Sequence, residues 1–213
     1  MKPFTISTRF IEEAKACLSK PLPGFSAQKK MGPTLLDGTL LHDRSPSNAC
    51  RINGVMLLFF VKKNDIRLLL TVRSSEMRKH KGEISCPGGG LDPNETPLQA
   101  AIRETEEETG VYEQEIEVLG ALSDLYIPVS DNLLKPHVGF YHGKPIFKPD
   151  EREVQQILTP NFSYFLSEEN VKKEQWNLHG FDLIVPCWRI NNRPLWGATA
   201  MILSEFIEVM RSK

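Results

Sequence analysis

The segment that most constrains this chain runs from Gly88-Gly89-Gly90 through Leu91-Asp92-Pro93-Asn94-Glu95-Thr96-Pro97 into a helix-forming stretch that ends at Gly110. Thr96 stands ahead of Pro97, with Gln99 three residues after it. This is a capping-box pattern with proline at the first helical position, so a helix is predicted to start there. Gly110 is suited to the left-handed conformation that stops a helix. Within the helix Glu104, Glu107 and Glu108 stand at i, i+3 and i+4, on one face and within about 6 Å of one another. Glu106 points elsewhere. Leu98, Ala101, Ile102 and Thr105 form the opposite side, expected to pack on a sheet. Three glycines entering a helix let backbone approach a ligand closely, and the exposed N–H groups favour an anion such as phosphate.

Three carboxylates on one face repel one another, at a few tenths of a kcal/mol per pair, or about 0.2–0.5. Arg103, four residues before Glu107, can pair with it, but one guanidinium cannot neutralise three carboxylates. A hard divalent cation bound by oxygen ligands can, which points to Mg²⁺ or Mn²⁺. Most charge runs are simply solvated faces. The wider spacing overturns that reading, because Gly89-x5-Glu95-x7-Arg103-Glu104-Thr105-x-Glu107-Glu108-x-Gly110-Val111 resembles the Nudix box. Thr105 departs from it, where the family prefers an aliphatic residue.

Upstream, Leu69-Leu70-Thr71-Val72-Arg73-Ser74, then Arg78, Gly82 and Cys86-Pro87-Gly88-Gly89, is similar to the signature of the coenzyme A pyrophosphatase branch of that family. Cys86 is the mismatch, since the branch carries Phe there. Gly120-Ala121-Leu122-Ser123, Tyr126-Ile127-Pro128-Val129-Ser130 and Trp196-Gly197-Ala198-Thr199-Ala200 also look like the branch.

The resemblance implies an α/β/α sandwich with a mixed central sheet, and a metal-dependent hydrolase of compounds holding a nucleoside diphosphate. It implies metal held by Glu104 and Glu108 with Glu107 assisting, and Arg103 orienting a glutamate by salt bridge. Coenzyme A or a derivative would be split to adenosine 3′,5′-bisphosphate and a 4′-phosphopantetheine product. ADP-ribose, a dinucleotide or a nucleoside triphosphate is the alternative substrate, and a non-catalytic nucleotide-binding module the alternative class. Two residues compete as the base that activates water, Glu107 and Glu153. Glu153 has the rival readings of a cap for a following helix or an ion pair with Arg152. Arg73, Ser74, Arg78, Gly82, Gly88 and Gly89 are the expected substrate-binding residues.

Charge agrees locally rather than globally. Across 213 residues, 26 Lys+Arg offset 27 Asp+Glu to a net −1, which excludes nucleic acid or membrane binding through bulk charge. Yet residues 73–82 hold four Arg/Lys and one Glu, whereas residues 103–108 hold one Arg and four Glu. The first field suits phosphates and the second metal ions. Cys17, Cys50, Cys86 and Cys187 lie far apart, suggesting neither a zinc site nor a disulfide framework. No signal peptide is read, no apolar run reaches the roughly 20 residues of a membrane span, and the chain is expected in the cytoplasm, with a homodimer possible by family likeness.

The remainder reads as one α/β unit, with residues 1–50 as an N-terminal helix and wrapping loop packed on a domain at 51–213. Apolar spacing predicts a helix over about 8–20, stopped by Pro21 and Pro23, then a loop to Cys50. Gly54 to Val61 and Ile66 to Val72 read as a hairpin across Lys62-Lys63-Asn64-Asp65. Strands are expected near 115–122, 134–142 and 181–190, a turn at Asn191-Asn192-Arg193-Pro194, and a helix from Gly197 to Arg211 with Ala200, Leu203, Ile207 and Met210 on its buried face.

Overall fold

Strand β2 (Arg51–Lys62) is apolar at every position from Val55 to Val61 rather than at alternate ones. Successive side chains of a strand point to opposite faces, so such a run needs cover on both. The computed structural model, which describes residues 5–41, 46–47, 49–74, 82–178 and 180–212, supplies that cover. Leu57 and Phe59 join one core and Met56, Leu58 and Phe60 the other.

In chain order the helices are α1 (Ile6–Leu18), α2 (Phe25–Gln28), α3 (Pro97–Thr109), α4 (Ser163–Leu166) and α5 (Gly197–Arg211). Besides β2, the strands are β1 (Thr34–Leu35), β3 (Asp65–Arg73), β4 (Ile84–Ser85), β5 (Gly88–Gly90), β6 (Ile116–Ala121), β7 (Leu125–Ile127), β8 (Asn132–Tyr141), β9 (Val154–Leu158), β10 (Val171–Leu178), β11 (Phe181–Ile190) and β12 (Arg193–Leu195). The main sheet runs β4-β3-β2-β8-β6, with β5 on β2, β7 on β8 and β9 on β3. It is mixed: β2 and β8 are parallel, and the other pairs antiparallel. A smaller sheet gathers β10, β11, β1 and β12.

Helix α3 lies on one face of the main sheet through Ala101, Leu98 and Ile102. On the other face α1 contributes Phe10, Ala14 and Cys17, and α5 contributes Ala200, Leu203 and Phe206. Helices thus cover both faces, which is the expected α/β/α sandwich. Phe10, Phe59, Phe162 and Phe206 form its aromatic centre, with ring centroids 4.9 Å apart for Phe59 and Phe206 and 5.0 Å for Phe10 and Phe59. Such pairs contribute about 0.5–1.5 kcal/mol each beyond the area they bury.

The local expectations are met where sequence and packing agree. Lys63 and Asn64 have φ of 52° and 62°, the left-handed pair that matches a two-residue hairpin loop to strand twist. Thr96 accepts from Gln99 N while Gln99 accepts from Thr96 N, and Gly110 closes α3 at φ 70°. The final helix spans Gly197–Arg211 as expected, but it is buried on nearly every side rather than along one stripe, Met201, Ile202 and Glu205 included.

Three expectations are corrected. The loop over 24–50 contains α2, a 3₁₀ turn at Lys29–Met31 and β1. The turn after β11 uses only Asn191 and Asn192, at φ 50° and 65°, so Arg193 and Pro194 belong to β12. No helix follows Glu153, because β9 starts at Val154. Among the described residues no helix is long and apolar enough to cross a membrane.

The contact between α3 and β2 sets the depth at which the glutamate helix sits. A Cβ at Gly54 would collide with the Pro97 carbonyl oxygen and the Ala101 nitrogen, both backbone atoms. Gly54→Ala is therefore expected to force helix and strand apart and destabilise the protein by about 1–3 kcal/mol or more. Chemical denaturation read by far-UV circular dichroism checks this, and an unchanged midpoint would contradict it.

Candidate active site

Glu104 and Glu108 lie one turn apart on α3, and the fold encloses them to different depths. Glu108 is 4% exposed. Burial raises its carboxyl to about 8; Arg73 opposes that shift, Glu104 and Glu153 add to it, and a backbone hydrogen bond from Gly88 partly relieves it. Its Oε2 is buried without a hydrogen-bond partner among the described residues. Burial also raises Glu104, against the nearby Arg103, with Glu107 and Glu153 pushing the same way as burial. Three carboxylates, Glu104, Glu108 and Glu153, thus sense one another.

Glu153 arrives from outside α3 on a segment stitched to that helix. Lys148 N donates to Thr109 O at 2.8 Å and Asp150 N to Glu108 O at 3.3 Å. Glu153 N then donates to Asp150 O at 3.0 Å, and its own carbonyl accepts from Ser74 N at 2.7 Å. Arg152 is engaged by Asp150 at 2.6 Å and feels Glu153 as a nearby charge, while no helix follows Glu153 for it to cap.

Arg103 organises the rest of the acidic face. Its Nε and Nη2 donate to the two oxygens of Glu95 at 2.9 and 3.0 Å, and Nη1 donates to Glu104 at 2.9 Å and Glu107 at 3.0 Å. Nη2 also donates to Gly90 O at 3.0 Å, so one guanidinium ties the glycine segment to the helix. These partners raise the Arg103 pKa, Glu95 most strongly. Glu95 is lowered in turn by Arg103 and by the Asp92 backbone N–H. Drawn outward by Arg103, the Glu107 side chain stays 59% exposed. Consistent with that divergence, no three His, Cys, Asp or Glu side chains among the described residues close into a cage by themselves. Glu106 accepts from Glu113 N at 3.1 Å and stands apart, as its helical position requires.

The glycines are used for approach. Gly88 and Gly89 lie in β5 against β2, opposite Val55 and Gly54. A Cβ on Gly89 would occupy the space of the Glu104 carboxylate. On the neighbouring hairpin, Arg73 ends β3, Ser74 is buried, and Gly82 N donates to Arg73 O at 3.1 Å. Arg78, with Lys79 and Lys81, lies outside the described residues.

Two departures from the family pattern find physical accounts. Thr105 is fully buried, and its hydroxyl donates to Ala101 O at 2.6 Å, so the polar atom is satisfied within the helix. Cys86 is buried in the larger core, and burial together with Glu108 pushes its thiol up to about 12. A thiol held protonated is not a nucleophile at neutral pH. All four cysteines are free. Sequence reading missed Gly54, whose only signal was one glycine inside an apolar strand, and Glu205 on α5, discussed below.

Comparison with known proteins agrees with this architecture. The NUDIX domain model matches residues 51–178. The chain is 31% identical over 136 residues to the mouse peroxisomal coenzyme A diphosphatase NUDT7, covering 63% of this chain and 57% of that protein. It is 33% identical over 134 residues to Nudix hydrolase 3 of Caenorhabditis elegans, covering 62% and 56%. The chain therefore spans little more than half the length of these relatives. The crystal structure of RenU, a Nudix hydrolase from M. smegmatis, superposes with a TM-score of 0.55 at 17% identity, covering 76% of this chain and 86% of that one, which is a likeness of fold. With the glycine segment, the Arg103-tied glutamates and a matching family model covering more than half its length, this chain belongs to the NUDIX domain family.

Proposed function

We propose that this protein is a metal-dependent hydrolase that cleaves the diphosphate linkage of coenzyme A or a derivative, giving adenosine 3′,5′-bisphosphate and (acyl-)4′-phosphopantetheine. The observation that carries the reading is Glu108: a buried carboxylate oxygen with no hydrogen-bond partner among the described residues, facing the charges of Glu104 and Glu153. A buried, unsatisfied anion is costly, and a bound cation is one of the few things that explains its retention. The donor set fits a hard ion such as Mg²⁺ or Mn²⁺, which Glu104 and Glu108 would hold with Glu107 assisting. Such an ion neutralises developing charge on phosphate oxygens and makes a bound water more acidic.

The chain's own residues do the remainder. Arg103 fixes Glu104 and Glu107 in place and clamps Gly90, so the phosphate-facing backbone and the ligands move as one piece. Arg73 meets the diphosphate as a counter-charge, with Gly88 and Gly89 presenting backbone to it beside the Glu104 carboxylate. Glu153 and Glu107 are the two candidates for taking the proton from water. The resemblance of Leu69 to Gly89 to the coenzyme A branch, and the name borne by the mouse relative, support the substrate.

The test is a substrate panel with Mg²⁺ or Mn²⁺: coenzyme A, acyl-coenzyme A, ADP-ribose, NADH, diadenosine polyphosphates and nucleoside triphosphates, with products identified by mass spectrometry. Turnover of coenzyme A that EDTA abolishes is expected. Robust turnover of another member and none of coenzyme A would assign the protein to a different nucleoside diphosphate derivative. No turnover of any would favour a nucleotide-binding module. In this reading the partners are a small nucleotide and, by family likeness, a second copy of the chain. The four free cysteines suit a reducing compartment such as the cytoplasm. We further propose that residues 1–50 and 51–213 form one folding unit.

A further inference from the structure

Arg193 is far in sequence from every residue named as substrate-binding, yet the fold returns it to them. It opens β12, which packs against β4 of the hairpin that carries Arg73 and Gly82. Its Nη1 lies 3.5 Å from where a Gly82 Cβ would stand. Gly82 N is bonded to Arg73 O, and Arg73 N to Glu83 O. Through Gly82, the Arg193 guanidinium therefore stands beside the backbone of Arg73. Arg73 in turn acts on the Glu108 carboxylate.

Among the described residues Arg193 has no protein counter-ion. Arg189, on the neighbouring strand, is held by Glu174 at 2.6 Å, Arg152 by Asp150 at 2.6 Å, and Arg103 by three glutamates. Among the described residues no carboxylate pairs with Arg193, and its side chain makes no hydrogen bond. The residue is half-buried at the edge of the site. Five donors in a planar fork, left unused beside a phosphate-facing hairpin, match a phosphomonoester better than any neutral group.

We propose that Arg193 is a substrate-binding residue that receives a phosphomonoester carried by the nucleotide half of the substrate, beyond the diphosphate. This rests on the reading of the chain as a diphosphate hydrolase and adds a specificity element to it: selection for a nucleotide bearing one phosphate more than the scissile pair. The 3′-phosphate of coenzyme A has that chemistry, and the same nucleotide without it is the natural control.

The test compares coenzyme A with dephospho-coenzyme A in wild type, Arg193→Gln and Arg193→Lys. A charge-assisted hydrogen-bonding pair of this kind is worth about a 10- to 100-fold difference in binding. Arg193→Gln is expected to raise KM for coenzyme A by about that factor with kcat far less affected, and to change the dephospho substrate much less. Arg193→Lys should recover part of the loss. Equal effects on both substrates, or none on either, would overturn the assignment while leaving the hydrolase reading intact. Should neither substrate turn over, the hydrolase reading fails by itself. Calorimetric binding of adenosine 3′,5′-bisphosphate against AMP then decides the role of Arg193, because loss of the wild-type preference in Arg193→Gln supports it and an unchanged preference refutes it.

Discussion

Glu108→Gln is expected to lower turnover at least about 10²-fold and, in metal-free protein at alkaline pH, to raise stability. Loss of a supporting residue around a metal already costs 10- to 100-fold, and a direct ligand costs more. The stability half follows from burial. The Glu108 carboxyl titrates near 8 in the folded protein against 4.5 for a free one. The folded state therefore holds a proton that the unfolded chain releases. The penalty is absent below the unfolded value, grows as pH rises from there to about 8, and is complete above it. Glutamine removes a penalty on the order of several kcal/mol at pH 9 and almost nothing at pH 4. Divalent metal should raise the wild-type melting temperature more at pH 9 than at pH 6, because at the lower pH a proton competes for Glu108. Differential scanning fluorimetry with and without Mn²⁺ measures both. A variant with near-normal turnover, or equally unstable at pH 9, would remove Glu108 from the metal site.

Glu205→Ala should be the most destabilising single change away from the site. Glu205 is fully buried on α5 and accepts from Gly24 N at 3.1 Å, Ser123 N at 3.2 Å and Gln28 Nε2 at 2.8 Å. Gln28, also fully buried, donates in addition to Ser123 O at 3.1 Å. One carboxylate thus joins the N-terminal segment, the loop after β6 and the last helix. Truncation leaves these donors buried and unsatisfied, at about 1–3 kcal/mol for each, and opens a void. A loss of about 3–5 kcal/mol is expected, or roughly 6–20 °C in melting temperature for a chain of this size. The same variant tests the single folding unit, because the first fifty residues and the remainder should then lose structure in one transition, and proteolysis confined to the first fifty residues of otherwise folded protein would contradict it. Melting within about 2 °C of wild type would show that the clip bears no weight.

Both residues show what a sequence can carry. Glu108 was recognisable because helical periodicity and a capped start lay within one contiguous stretch, where spacing alone fixes which side chains share a face. Glu205 was invisible, since its three donors are separated from it by 82 residues or more. The hairpin and the last helix were readable from apolar runs. Strand β10, by contrast, is largely exposed and rich in Lys, Glu and Gln, so no apolar alternation marks it. Strand β9, Val154-Gln155-Gln156-Ile157-Leu158, is short and polar in the middle, held as a strand by pairing with β3. Arg193 falls in the expected four-residue turn at Asn191-Asn192-Arg193-Pro194, but the two asparagines complete the turn alone.

The parallel pairing of β2 with β8 has a kinetic consequence. The β2–β3 hairpin can close on its own through a two-residue turn, as fast local events do. Arg51, however, must find Asn132, with the glycine segment, α3 and four further strands, β3, β4, β6 and β7, strung between them. Long-range parallel contacts are paid for in chain entropy before they are rewarded, which slows their formation. The β5 glycines dock on that same strand β2, and the α3 glutamates sit above it. In refolding, intrinsic signals from the local hairpin should recover first, and the capacity to bind metal should return only with the slow phase.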